Sequence, residues 1–234
     1  MHVFYSPYIN DNNCQLSESE AKHCSRVLRL TTGDFIYLID GIGSLYTAKI
    51  VDLSAKKCMV EIVDVKNNYE RRNYYLHIAI SLTKNIDRFE WFLEKATEIG
   101  INEITPIVCE HSERQTFKIE RAEKVIVAAA KQSIKAFLPK INELANFRTI
   151  AEQYFAGKKL IAHCNENEKI LLQKIIKPCE NISIFIGPEG DFSRNEIQLA
   201  QQNNFKEISL GNSRLRTETA AIHACSTVYI INEQ

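Results

Sequence analysis

From Tyr74 onward, short apolar runs alternate with amphipathic stretches, and this alternation constrains the fold more than any other feature of the chain. Tyr75 to Leu82, Glu103 to Cys109, Lys159 to His163, Ile182 to Ile186 and Glu207 to Leu210 read as strands. Helices are expected near 88–99, 119–137, 168–177, 193–203 and 217–231. Strands and helices in that order build a mainly parallel sheet covered on both faces, an α/β architecture. The helix from Arg88 shows the period most clearly, with Phe89, Phe92, Leu93, Ala96 and Ile99 on one side and Gly100 as its stop. Asp87 and Glu90 stand where N-terminal capping groups belong.

The first 70 residues follow a different rhythm. Phe35 to Asp40, Leu45 to Leu53 and Cys58 to Val65 are apolar or alternating runs separated by Gly41-Ile42-Gly43-Ser44 and Ser54-Ala55-Lys56-Lys57, the pattern of short antiparallel strands. Strands this short favour a small β-barrel. Ser17 with Glu20 three residues later is a capping-box signature, predicting a helix over Glu18 to Leu30. On such a helix Lys22, Arg26 and Arg29 fall within about 60° of one another, with His23 beside them. The polar stretch Asn67 to Asn73 marks the boundary, dividing the chain into residues 1–70 and 71–234.

Composition narrows the function classes. Seven cysteines without a Cys-x-x-Cys pair argue against zinc and against a disulfide framework, and so for a reducing cytoplasm. The longest apolar stretch, near Val125 to Ala130, is far short of the roughly 20 residues a membrane span needs, and Met1 to Asn10 does not read as a secretion signal. A cytoplasmic protein that does not engage a membrane is the expectation. The 29 basic and 29 acidic residues cancel, so any nucleic-acid role must rest on local charge. Between Arg114 and Lys140 there are seven basic and two acidic residues. On a helix from Ile119, Lys124, Lys131 and Lys135 fall within about 40°, forming either a phosphate-binding face or a merely solvated one.

Two stretches could carry chemistry. The apolar strand Ile182 to Ile186 runs into Gly187-Pro188-Glu189-Gly190-Asp191-Phe192, after which Ser193 and Glu196 form a second capping box. Ligands of open α/β sheets bind beyond the carboxyl ends of strands, where glycine permits close backbone approach. The turn is therefore a ligand loop, or one that needs glycine for geometry alone. Glu189 and Asp191 make it better suited to a cationic or neutral ligand than to phosphate. The next strand leads into Leu210-Gly211-Asn212-Ser213-Arg214-Leu215-Arg216-Thr217-Glu218-Thr219-Ala220 and an apolar helix. Arg216 and Glu218 stand at its mouth; Glu218 also suits a helix N-terminus, and the arginines could be solvated or paired with it.

These two stretches resemble the cofactor loops of the SPOUT methyltransferases, and among them the ribosomal RNA small subunit methyltransferase E family. His23, Arg26 to Arg29 and Asp40-Gly41 are similar to that family's N-terminal motifs, and Lys84, Glu94-Lys95, Glu98-Ile99-Gly100, Thr105-Pro106, Gln132-Ser133 and Leu138-Pro139 to its middle. The resemblance runs through nearly the whole chain in order. Two departures stand out: Asp191 replaces a second glycine often found there, and lysines fill positions of the 130–135 segment where the family usually has an acid and an arginine.

The resemblance implies a small N-terminal PUA-like β-barrel and a C-terminal SPOUT-type parallel sheet with a deep trefoil knot, acting as a homodimer. It implies transfer of a methyl group from S-adenosylmethionine to N3 of a uridine in 16S ribosomal RNA, on naked RNA or the assembled 30S subunit, without a metal. By the same resemblance, Ile186, Gly187, Pro188, Glu189, Gly190, Leu210, Gly211, Leu215 and Thr219 are the expected cofactor residues. Arg216 and Glu218 are the candidate catalytic pair, Arg216 to balance charge on the deprotonated uracil and Glu218 as general base or helix cap. RNA contact is expected at His23, Arg26, Arg29, Lys124, Lys131 and Lys135. Methylation of a ribose 2'-OH or of transfer RNA, and non-catalytic RNA binding in ribosome assembly, are the alternatives.

Overall fold

A computed structural model of the chain describes residues 1–9, 12–165 and 168–233. Two compact units emerge: Met1–Arg71 with Val127–Leu138, and Arg72–Ile126 with Pro139–Gln234. Among the described residues no helix is long and apolar enough to cross a membrane.

The first unit holds β1 (Val3–Tyr5), β2 (Asn13–Leu16), α1 (Glu18–Lys22), β3 (Phe35–Ile39), β4 (Leu45–Leu53) and β5 (Cys58–Lys66). The strands form one curled sheet, a half-barrel, in the order β1-β3-β4-β5-β2. Alternate residues of β3 to β5 bury Ile36, Leu38, Ala48, Ile50, Cys58 and Val60 against Phe4, Leu16, Ala21 and Cys24. Ala130 and Ala136 join Ile39 and Leu45 in a second small core, which is why the segment 127–138 belongs with this unit although it lies far along the chain. The helix expected over Glu18 to Leu30 is shorter: α1 ends at Lys22, and His23–Val27 continues as a π-helical turn. Ser17 Oγ accepts from the Glu20 backbone N–H as the capping box predicts, but the Glu20 carboxylate turns to Lys131 Nζ at 2.5 Å.

The second unit is a parallel sheet of β6 (Tyr75–Ser81), β7 (Glu103–Val108), β8 (Lys140–Ile141), β9 (Ala145–Asn146), β10 (Lys158–Ala162), β11 (Ile170–Leu171), β12 (Asn181–Ile186) and β13 (Lys206–Ser209). Their order is β11-β13-β10-β12-β6-β7-β8, with β9 also on β7, and every ladder is parallel. Central strands β6 and β12 are buried almost throughout, as continuous apolar runs in a sheet covered on both faces should be. The helices are α2 (Ile86–Ile99), the first half of α3 (Ile119–Ser133), whose residues from Val127 count with the first unit, α4 (Phe147–Ala151), α5 (Leu172–Ile175), α6 (Arg194–Gln202) and α7 (Thr217–Asn232).

Helix α2 stops at Gly100 in the left-handed conformation, as its sequence predicts, but its cap is Asn85, whose side chain accepts from the Asp87 N–H. Glu90 pairs instead with Arg121. The capping box of α6 forms in full, Ser193 and Glu196 satisfying each other's backbone N–H. Two expected helices contract. The one over 119–137 ends at Ser133, because Ile134 takes a left-handed φ of 57°. In place of the one over 168–177 stand the two-residue strand β11, recruited by β13, and the single turn α5, which Ile176 ends in an extended conformation.

Candidate active site

The carboxyl ends of β10, β12 and β13 open onto one cavity of about 990 Å³, within the range that holds small molecules and cofactors. Its walls are the loops after those strands, the 187–191 stretch on one side and 210–217 on the other. Parallel register brings them together, since Ala162 pairs with both Ile186 and Ile208 at the strand ends. Side chains then fix the loops. Thr217 Oγ1 donates to the Gly187 carbonyl at 3.0 Å, His223 Nε2 donates to the Leu210 carbonyl at 2.9 Å, and Ser209 Oγ accepts from the Gly211 N–H at 3.1 Å. Gly211 has φ 120°, a conformation that side-chain-bearing residues rarely adopt, and a Cβ built there would meet nothing within 4 Å. The floor is apolar, with Ala162, Ile186, Ile208 and Ala220, while Glu189 and Asp191 add negative charge to one wall.

Eight of the nine expected cofactor residues line this cavity: Ile186, Gly187, Pro188, Glu189, Gly190, Leu210, Gly211 and Leu215. Thr219 does not; it is exposed on α7, and its neighbour Thr217 lines the wall instead. Both threonines belong to one motif, but two residues along a helix point in different directions, and the motif carries no sign of which one faces the ligand. Arg216 lies on the cavity, exposed, and its guanidinium makes no hydrogen bond or ion pair with any described residue. It is the N-cap of α7 and contributes no side-chain cap, so the guanidinium and the positive end of the helix dipole share the cavity mouth.

Glu218 takes a different place. It is buried, lies outside the cavity wall, and approaches Arg88 of α2 with Oε1 3.9 Å from Nε, while Oε2 has no hydrogen-bond partner among the described residues. His163 sits at the end of β10 with its ring sealed, Nε2 held 2.6 Å from Glu207. Burial lowers its pKa, against the opposing pull of Glu207.

Residues 70–229 match the RNA methyltransferase domain family and residues 16–63 the RNA methyltransferase PUA domain family. The chain is 33% identical over 229 residues to ribosomal RNA small subunit methyltransferase E of Mesomycoplasma hyopneumoniae, covering 95% of this chain and 96% of that protein. It belongs to the ribosomal RNA small subunit methyltransferase E family. A probable rRNA-methyltransferase from Porphyromonas gingivalis superposes on this family member with a TM-score of 0.94 at 37% identity, covering 100% of this chain and 99% of that one. The methyltransferase E of Neisseria gonorrhoeae, solved bound to S-adenosylmethionine, gives 0.88 at 27% identity, covering 99% and 98%.

The expected RNA-contact residues of this methyltransferase family member divide into two groups. His23, Arg26 and Arg29 are exposed on the first unit, on and just after the π-helical turn. Lys124 is exposed on α3. Lys131, however, is paired with Glu20 and stands 5.5 Å from the Phe4 ring centre, and Lys135 is paired with Glu70 at 2.7 Å. Lys135 also lies beyond the end of α3. The continuous lysine face drawn from a 119–137 helix therefore does not form.

A second cavity, about 420 Å³, opens at the amino ends of the strands. Register sets a polar row across five strands there, Lys159, Ser183, His77, Glu103 and Lys140. The buried His77 bonds Ser183 Oγ and Thr105 Oγ1 at 2.9 and 2.8 Å, and burial pushes its pKa down to about 4. For Glu103, burial alone would raise the pKa, but hydrogen bonds from Asn142 and Tyr75 outweigh it and bring it to about 2.

Proposed function

We propose that this protein uses S-adenosylmethionine to methylate N3 of a specific uridine in 16S ribosomal RNA. The observation that carries the reading is Arg216, unpaired at the mouth of a cavity whose glycine loops are tied together by Thr217. The cavity suits the cofactor chemically. Its apolar floor can cover an adenosine, the backbone at Gly187, Gly190 and Gly211 allows close approach, and Glu189 and Asp191 favour a sulfonium over an anion. When bound, S-adenosylmethionine supplies an activated methyl group, leaving the protein chiefly to align and to balance charge.

Uracil N3 must lose its proton to attack, and the resulting charge spreads to O2 and O4. A guanidinium without partners among the described residues can meet those oxygens, and the N-terminus of α7 adds to its field, which is the part we assign to Arg216. Glu218, buried against Arg88, is assigned to anchoring the start of α7 rather than to taking the proton. Since N3 lies on the Watson-Crick edge, the target must be unpaired or drawn from its stack, and His23, Arg26 and Arg29 are the groups we assign to holding the surrounding RNA. The same reading has the protein acting in the cytoplasm as a homodimer, on naked RNA or the 30S subunit.

Nucleoside mass spectrometry of 16S RNA and of transfer RNA from a deletion strain tests the assignment. Loss of 3-methyluridine, restored by the wild-type gene, is the expected result. Loss of a 2'-O-methyl mark, loss of a transfer RNA mark, or no change would each overturn it.

A further inference from the structure

Asp191 stands at φ 64°, in the left-handed region where glycine is free of strain and where, among other residues, asparagine and aspartate are the most tolerated. Its side chain uses that conformation. One carboxylate oxygen accepts from the Cys164 N–H at 2.8 Å, and the other from the Phe192 N–H at 2.8 Å. Cys164 follows β10 and Asp191 follows β12, neighbouring strands in register, so the carboxylate bridges the loops leaving two adjacent strands. Both residues line the large cavity. On the outer side of the same turn, His111 Nδ1 donates to the carbonyls of Gly190 and Asp191 at 3.1 and 2.9 Å. The loop is thus clasped from within by a carboxylate and from without by an imidazole.

We infer that Asp191 is a positioning residue for the cofactor cavity, its carboxylate fixing the separation of the 187–191 wall from the end of β10. The inference rests on the reading of that cavity as the S-adenosylmethionine site. Glycine at 191 would relieve the backbone but release Cys164, letting the wall drift. Asparagine tolerates the same φ and keeps one acceptor oxygen where aspartate has two.

The test compares wild type, Asp191→Gly and Asp191→Asn by calorimetric titration with S-adenosylhomocysteine and by steady-state methyl transfer. For Asp191→Gly the dissociation constant and the KM for the donor should rise about tenfold, the cost of a lost charge-assisted hydrogen bond, while the KM for RNA stays within about twofold of wild type. Asp191→Asn should recover part of the donor affinity. Wild-type affinity in Asp191→Gly would overturn the clasp while leaving the cavity reading intact. A parallel rise in both KM values with a lowered melting temperature would also overturn it, since that marks general loosening. No binding by wild type would instead remove the cavity reading on which the clasp rests.

Discussion

Thr217 Oγ1 reaches across 3.0 Å to the Gly187 carbonyl, so the first residue of α7 holds the end of β12. The bond is buried, and removing the donor strands a carbonyl that water cannot readily reach. Thr217→Val keeps the shape and loses the hydroxyl. It should destabilise the protein by about 1–2 kcal/mol and weaken donor binding several-fold, whereas Thr217→Ser should stay close to wild type. Chemical denaturation and calorimetric titration of the three proteins give the comparison; identical donor affinity in all three would show that the tie does not shape the cavity.

Arg216 has no partner to lose within the described residues, so its truncation should leave the fold and the donor site nearly untouched. Arg216→Ala is expected to lower single-turnover methyl transfer by roughly 100-fold or more, the usual consequence of deleting a group aimed at developing negative charge. Its donor dissociation constant should stay within about threefold. Turnover like that of wild type would take Arg216 out of the reaction.

Glu218 yields the opposite expectation. Because it is buried against Arg88 and away from the cavity wall, Glu218→Gln should cost about 1 kcal/mol of stability through lost charge at the start of α7. The pH profile of turnover should not change. A large loss of turnover in a variant of normal stability, about as deep as that expected for Arg216→Ala, would make Glu218 the proton acceptor after all.

His77 predicts a pH dependence far from the cofactor cavity. Unfolded, its ring takes up a proton near the ordinary histidine value of about 6.5; folded, burial holds the pKa at about 4. Between those values the unfolded state binds more protons, so stability falls as pH drops through the window, by on the order of 3 kcal/mol once pH reaches 4. Glu103 acts lower down. Its folded pKa of about 2 gives stability that is present above the unfolded carboxylate value and is lost as pH falls toward 2. Urea denaturation between pH 7.5 and 4.5 should show a clear slope in wild type and a flatter one in His77→Asn. Equal slopes would contradict the assignment.

The parts of this structure that local sequence controls were legible in it. The apolar runs of β6 and β12, the period of α2 with Gly100 at its end, and the Ser193–Glu196 box all follow from neighbouring residues. Two-residue strands such as β8, β9 and β11 leave no periodicity to read. The fate of the lysines was set by distant partners: Glu20, 111 positions away, claims Lys131, and Glu70, 65 positions away, claims Lys135. Asp191 could be noticed as a departure from glycine, but its use as a clasp depends on Cys164, which only the register of β10 with β12 brings near.

Calorimetric titration of purified, ligand-free protein with S-adenosylmethionine tests the account most directly. A saturable heat, competed by S-adenosylhomocysteine and weakened in Thr217→Val, is the predicted result. Absence of any saturable heat from wild type would contradict it.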